Sequence, residues 1–186
     1  MLHLITPLYR FQNVEKVYAS ITNYPDVTWH IGKSASKPYT LPFEDDRVKV
    51  YDVNCKDTDP VAKRNFALSK VTDGYFHLLD DDTVLHPGMY KLYKQMEEID
   101  FKGMVIGKQI EKSGEIRLKE ELKPIYCKVD AGNVICHHSA IHHILNHPNR
   151  NNQRTAPDYL LWELAYDYFK DCKMTEDVIS VYNFLK

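Results

Sequence analysis

The sequence predicts an α/β fold, an α/β/α sandwich with a mostly parallel central sheet. Two observations carry the prediction. Short apolar runs of strand length alternate with segments whose apolar residues recur at helical spacing, from the N-terminus to about residue 99. One of those runs, Tyr75–Leu79, is unbroken, as in strands covered on both faces of a parallel sheet. At 186 residues, with 44% hydrophobic and 27% charged residues, the chain suits one good core and is short for two.

The elements follow in order. Leu2–Thr6 is an apolar strand ended by Pro7. Val14, Val17, Tyr18 and Ile21 sit at helical spacing over Val14–Ile21. Val27–Gly32 and Val48–Val53 are the second and third strands. Pro60 opens a helix with Val61, Phe66, Ala67, Leu68 and Val71 as its apolar face. Asp73-Gly74 is a turn before Tyr75–Leu79, and Pro87-Gly88 leads into a helix carrying Met89, Leu92, Tyr93, Met96 and Ile99. Beyond it the pattern loosens. Met104–Gln109 is a strand, and Ser113-Gly114 turns into Glu115–Leu118. Tyr126–Val129 and Val134–His137 flank a turn at Asp130-Ala131-Gly132, and Ser139–Leu145 is helical. His147–Pro157, rich in Asn, Pro and Arg, reads as a mobile loop before a helix over Tyr159–Phe169. The buried stripe of that helix is Leu160, Leu161, Leu164, Ala165 and Tyr168.

Composition removes several functions. With 24 Lys+Arg against 26 Asp+Glu and a net charge of −2, there is no basic surplus for nucleic acid. No apolar run approaches the roughly 18 residues of a membrane span, and the N-terminus lacks a signal-peptide pattern. Cys55, Cys127, Cys136 and Cys172 show no C-x-x-C spacing, so reduced thiols are expected. The chain reads as cytoplasmic, or as cut from a larger protein.

The sharpest chemical feature is Asp80-Asp81-Asp82, directly after the buried run. In extended backbone Asp80 and Asp82 would face the same way, about 6–7 Å apart. They would look into the crevice beyond the strand's carboxyl end, where open α/β sheets bind ligands. Adjacent carboxylates repel unless a cation or donors compensate them, and hard oxygens suit Mg²⁺ or Mn²⁺ together with substrate phosphates. Asp158 follows Thr155-Ala156-Pro157 in a spacing that also fits a helix cap, and a cap can still accept a proton. Arg10 follows the first strand and Arg64 lies early on the second helix, and both could meet phosphate, ribose or a base near the strand ends; as isolated cations they are more often solvated. His137, His138, His142, His143 and His147 cluster, and His138 and His142 share i, i+4 spacing, but His-Glu-x-x-His is absent, which favours ordinary imidazoles over zinc ligands. Gly-x-Ser-x-Gly, Gly-x-x-x-x-Gly-Lys and Gly-x-Gly-x-x-Gly are absent too.

Taken in order, these pieces resemble a GT-A-fold glycosyltransferase of the inverting, family-2-like type that uses a nucleotide-diphosphate sugar. Leu4-Ile5-Thr6-Pro7-Leu8-Tyr9-Arg10 resembles the opening strand, and Val61-Ala62-Lys63-Arg64-Asn65-Phe66-Ala67-Leu68 resembles the Arg-Asn-x-Ala-Leu helix. Phe76-His77-Leu78-Leu79-Asp80-Asp81-Asp82 resembles the strand with its Asp-x-Asp motif. Ala156-Pro157-Asp158-Tyr159-Leu160-Leu161-Trp162 resembles the Glu-Asp-Tyr-x-Leu-Trp segment that supplies the base. Two departures stand out. Trp29-His30-Ile31-Gly32-Lys33 replaces the frequent Val-Asp-Asp-Gly-Ser with its base-binding Asp, and Pro157 stands where Glu is common. The resemblance implies one catalytic domain over residues 1–186, with a nucleotide-binding half to about 100 and an acceptor half beyond. It implies that Thr6, Pro7, Tyr9, Arg10 and Arg64 border the nucleotide and that Asp80 and Asp81 contact the nucleoside. Asp82, with Asp80, would ligate Mn²⁺ or Mg²⁺, and Asp158 would be the general base. The partners implied are a nucleotide-sugar donor and a glycan or other hydroxyl acceptor.

Two rivals use the same residues. Asp80-Asp81-Asp82-Thr83-Val84 also fits the Asp-x-Asp-x-Thr/Val nucleophile motif of haloacid-dehalogenase-type phosphatases, which usually lies on the first strand. A non-catalytic sugar-nucleotide-binding domain is the other.

Overall fold

The computed structural model describes residues 1–117, 129–148 and 157–185, of residues 157 and 158 the backbone alone. The first strands form where apolar runs were read: β1 (Leu2–Pro7), β2 (Val27–Ser34), β3 (Val48–Val53) and β4 (Tyr75–Leu78). Between them lie α1 (Val14–Ala19) and α2 (Pro60–Leu68). Then come β5 (Val84–Leu85), α3 (Pro87–Glu98), β6 (Met104–Glu111), β7 (Val134–His137), α4 (Ile141–Asn146), α5 (Pro157–Phe169) and β8 (Cys172–Tyr182). α2 starts where sequence chemistry dictates. Asp59 caps it by accepting the Ala62 N–H at 2.9 Å, and Pro60 takes the first helical position, where no N–H is needed.

The strands make one sheet in the order β3-β2-β1-β4-β7-β6-β8-β5. β3, β2, β1 and β4 pair in parallel, as do β6 and β8, while β7 and β5 run against their neighbours. The carboxyl ends of β1, β4, β6 and β8 therefore share one edge. The segment from Leu79 to Thr83 joins two strands four places apart in the sheet, about 19 Å if it were flat. That segment is a tight turn, so the sheet curls to bring β5 back toward β4.

A hydrophobic layer lies on each face. α1 and α3 supply Val14, Val17, Met89, Leu92, Tyr93 and Met96 to one, against Leu2, Leu4, Trp29 and Ile31. α2, α4 and α5 supply Ala67, Leu68, Ile141, Leu161 and Trp162 to the other, against Ile5, Phe76 and Leu78. The alternation along β1 is the strand period of two.

Several expectations need correction. The buried face of α2 is Lys63, Arg64, Ala67 and Leu68, while Phe66 is exposed at its outer side. Backbone carbonyls and Asp57 at the strand ends give Lys63 its acceptors, which a count of apolar residues does not register. Arg64, which as an isolated cation reads as solvated and by the resemblance borders the nucleotide, is buried. Ile99, the C-cap of α3, and Tyr168, in the last turn of α5, are exposed. The turn at Asp130-Ala131-Gly132 is a 3-10 turn over Ala131–Asn133. β5 and β8 were not expected at all. Residues 118–128 and 149–156 lie outside the description, and with them most of the Tyr126–Val129 strand, Cys127 and most of the His147–Pro157 loop.

Candidate active site

At the shared carboxyl edge a crevice of about 250 Å³ is lined by Pro7, Tyr9, Arg10, Pro60, Asp80, Asp81, Asp82, Tyr182 and Asn183. Three strand ends and the start of α2 build it. The three aspartates do not continue β4 as extended chain. The Thr83 N–H donates to the Asp80 carbonyl at 3.0 Å, closing a turn that gives each carboxylate a different environment. Asp81, 3% exposed, reaches back to the end of β1. Its Oδ2 accepts the backbone N–H groups of Tyr9 (2.6 Å) and Arg10 (2.7 Å), and its Oδ1 accepts Arg10 Nη1 at 2.5 Å. Asp82, equally buried, has Oδ2 3.4 Å from the same Nη1, and its carbonyl accepts the Leu185 N–H. The pairing of Val84 with Val181 and of Leu85 with Ser180 carries Tyr182 and Asn183 to the aspartates.

Electrostatics follow from this packing. Burial works against the Arg10 charge, but the hydrogen bond and charge of Asp81, with Asp82 and Asp80 behind it, outweigh burial and hold the guanidinium above its ordinary value. Burial, reinforced by the charges of Asp59, Asp57 and Asp81, pushes the Tyr9 phenol up, so it stays protonated. Among the described residues no three His, Cys, Asp or Glu side chains form a closed metal cage. Mg²⁺ and Mn²⁺ do not require one, since they take one or two carboxylates and complete their shells with water and phosphate. Hard oxygens crowded into one crevice fit that kind of cation.

Of the residues expected at the site, the structure brings Pro7, Tyr9, Arg10, Asp80, Asp81 and Asp82 together. Thr6 is buried behind the crevice, its hydroxyl donating to the Leu79 carbonyl at 2.5 Å and accepting Trp29 Nε1 at 2.8 Å, so it straps β1 to β4 and β2. Arg64 is buried on α2 and does not line the crevice. Asp158 lies in the first turn of α5, its carboxylate outside the description.

With this geometry in hand, comparison with known proteins decides the family. The pattern of the family described as "Glycosyl transferase family 2" matches residues 16–165. The chain belongs to glycosyl transferase family 2. That membership displaces the phosphatase reading of Asp80 and Asp82. No curated protein matches the chain in sequence. Among solved structures it is similar to S. aureus TarS, at 12% identity with a TM-score of 0.70, covering 97% of this chain and 36% of that one. A structure of TarS 1–349 in complex with UDP matches at 15% identity and TM-score 0.77, covering 97% and 59%. The complex of TarS 1–349 with UDP-GlcNAc matches at 13% and 0.66, covering 97% and 57%. At such identities the likeness is one of fold. The chain spans less than two thirds of the length of each of these neighbours.

Within this family 2 chain, the departure at the end of β2 has a structural counterpart. Lys33 is buried and its Nζ donates to the Lys37 carbonyl at 2.8 Å and to Asp52 on β3. Asp130 is committed elsewhere: it caps the 3-10 turn, pairs with Arg117 and accepts Trp162 Nε1 on its carbonyl. The Arg117 guanidinium lies 3.4 Å above the Tyr182 ring, so the β8 wall of the crevice is braced from behind. Sequence reading missed Tyr182, Asn183 and Pro60 as crevice residues. The β-branched Val178–Val181 stretch was a strand signal, but its place beside Asp82 comes from a pairing of distant segments. No helix among the described residues is long and apolar enough to cross a membrane.

Proposed function

We propose that this family 2 chain transfers a sugar from a nucleoside diphosphate donor to an acceptor hydroxyl, with inversion and with a divalent cation. The observation that carries the reading is the crevice itself: a guanidinium and three carboxylates gathered at the carboxyl edge, where α/β sheets present ligands to strand ends. UDP and UDP-GlcNAc in complexes of the TarS neighbours support the donor class.

In this mechanism Tyr9 and Arg10 border the nucleotide, and Arg10 offers a planar fork of donors to phosphate oxygens. Asp82 and Asp80 would hold Mn²⁺ or Mg²⁺. When bound, that cation supplies neutralisation of the charge that develops on the leaving diphosphate. Asp158 takes the acceptor hydroxyl proton as the oxygen attacks the anomeric carbon opposite the leaving group, which inverts the configuration. Asp81 keeps the turn after β1 in place through its bonds to two backbone N–H groups and Arg10.

The test is calorimetry with UDP-, GDP-, CDP- and dTDP-sugars, with and without Mn²⁺, followed by a transfer assay on the donor that binds. Cation-dependent binding of one nucleotide class is the expected result. No binding of any of the four overturns the proposal, and binding without turnover on any hydroxyl acceptor or water marks a non-catalytic domain.

A further inference from the structure

Lys63 sits on α2 immediately before Arg64, and its side chain is completely buried. A cation shut away from water is costly unless its charge and its three donors are matched. Here they are matched in full. Nζ donates to the Leu8 carbonyl at 2.9 Å, to the Asp57 carbonyl at 2.6 Å and to Asp57 Oδ1 at 3.3 Å, and lies 3.5 Å from the centre of the Tyr9 ring. Each partner leads into the crevice. The Leu8 N–H donates to the Gly32 carbonyl at 2.8 Å, so Leu8 is tied on both sides just before Tyr9 and Arg10. Asp57 belongs to the loop that delivers Pro60 to the lining. From the far side, Asp81 holds the N–H groups of Tyr9 and Arg10. The turn after β1 is thus gripped by an ammonium from α2 and a carboxylate from the end of β4.

We propose that Lys63 is a positioning residue for donor binding: its ammonium fixes the turn that presents Tyr9 and Arg10 to a nucleoside diphosphate. The inference rests on reading the crevice as the donor site. A residue kept only to fill space would not need a charge, and methionine, of similar length, would serve in its place. A positioning ammonium is lost with that change even when the fold survives.

The experiment compares wild type, Lys63→Met and Asp57→Ala by three measurements. These are the Kd for whichever of UDP, GDP, CDP and dTDP wild type binds best, the amide NMR signals of Tyr9 and Arg10, and KM and kcat for slow hydrolysis of the matching sugar nucleotide. Folded Lys63→Met should raise Kd and KM about tenfold or more with kcat changed less than about threefold, because ground-state binding is lost uniformly. Its Tyr9 and Arg10 amides should shift while those of the β1 interior do not. Asp57→Ala, at a half-exposed side chain, keeps the two carbonyl contacts of Lys63 and removes the carboxylate one, and should raise Kd about threefold. A folded Lys63→Met with wild-type Kd overturns the proposal. If Lys63→Met does not fold, unchanged Kd and unchanged Tyr9 and Arg10 signals in Asp57→Ala overturn it. Wild type that binds none of the four diphosphates overturns the donor-site reading itself, which is a separate failure.

Discussion

Asp80, Asp81 and Asp82 are neighbours of one residue type, yet the turn at the end of β4 separates their tasks. Asp81 commits its carboxylate to Tyr9 and Arg10, whereas Asp82 Oδ2 stands farther from that guanidinium, at 3.4 Å. Asp82→Ala is expected to abolish the Mn²⁺ dependence of donor affinity in a chain that still folds, checked by calorimetry and urea melts on the same variant. Asp158→Asn separates a base from a cap. Loss of a base lowers transfer by ~10²–10⁴ with donor affinity kept, whereas loss of a cap costs about 1 kcal/mol of stability with turnover kept. Melting temperature, donor Kd and transfer rate on that one variant decide between them.

Buried histidines add a pH dependence. Burial, with His3 and Lys49 nearby, pulls His30 down to about 4, and burial pulls His77 down to about 4 against its bond to the Val134 carbonyl. Both are neutral in the folded chain, so the unfolded chain binds more protons between about pH 6.5 and 4, and stability falls as pH falls through that window. Each should cost on the order of 2 kcal/mol by pH 5, read from denaturant midpoints at pH 7 and 5. A midpoint that is flat over this range would show that these imidazoles are already solvated.

β1, β2 and α2 work as one unit because their backbones come unusually close. A methyl group on Gly32 would stand 2.3 Å from the Lys63 carbonyl oxygen, and neither strand nor helix backbone can retreat alone. Gly32→Ala is expected to destabilise by about 2–3 kcal/mol and to weaken donor binding in the surviving folded fraction, since it displaces α2 together with its lysine. Thermal melts and donor titration check this. The same unit explains the misread face of α2. Residue periodicity marked Phe66 as core, but the first turns of α2 turn Lys63 toward the Leu8 and Asp57 carbonyls, which accept its ammonium. Phe66 is left outside, with Lys70 Nζ 4.4 Å from its ring centre. By contrast β3 was legible to the residue, because its Val48, Val50 and Val53 are local signals of a strand.

Curling of the sheet is what completes the crevice. Tyr182 stands a hundred residues from Asp82 in the chain and becomes its neighbour only because β5 and β8 pair antiparallel. Tyr182→Ala should lower donor affinity about tenfold with little loss of stability, since it removes one wall of the site and the ring beneath Arg117. Donor titration and melts on that variant test the claim. The aspartate triplet and the strand before it could be recognised from order alone, because the carboxylates and the apolar run that places them are contiguous. So could the first four strands and the helices between them, whose periods of two and of about 3.6 residues are written locally. What Asp81 bonds, why Lys63 is buried, and which late segment closes the site all depend on partners distant in the chain. Pairing and burial are properties of the folded whole, and local periodicity holds no record of them.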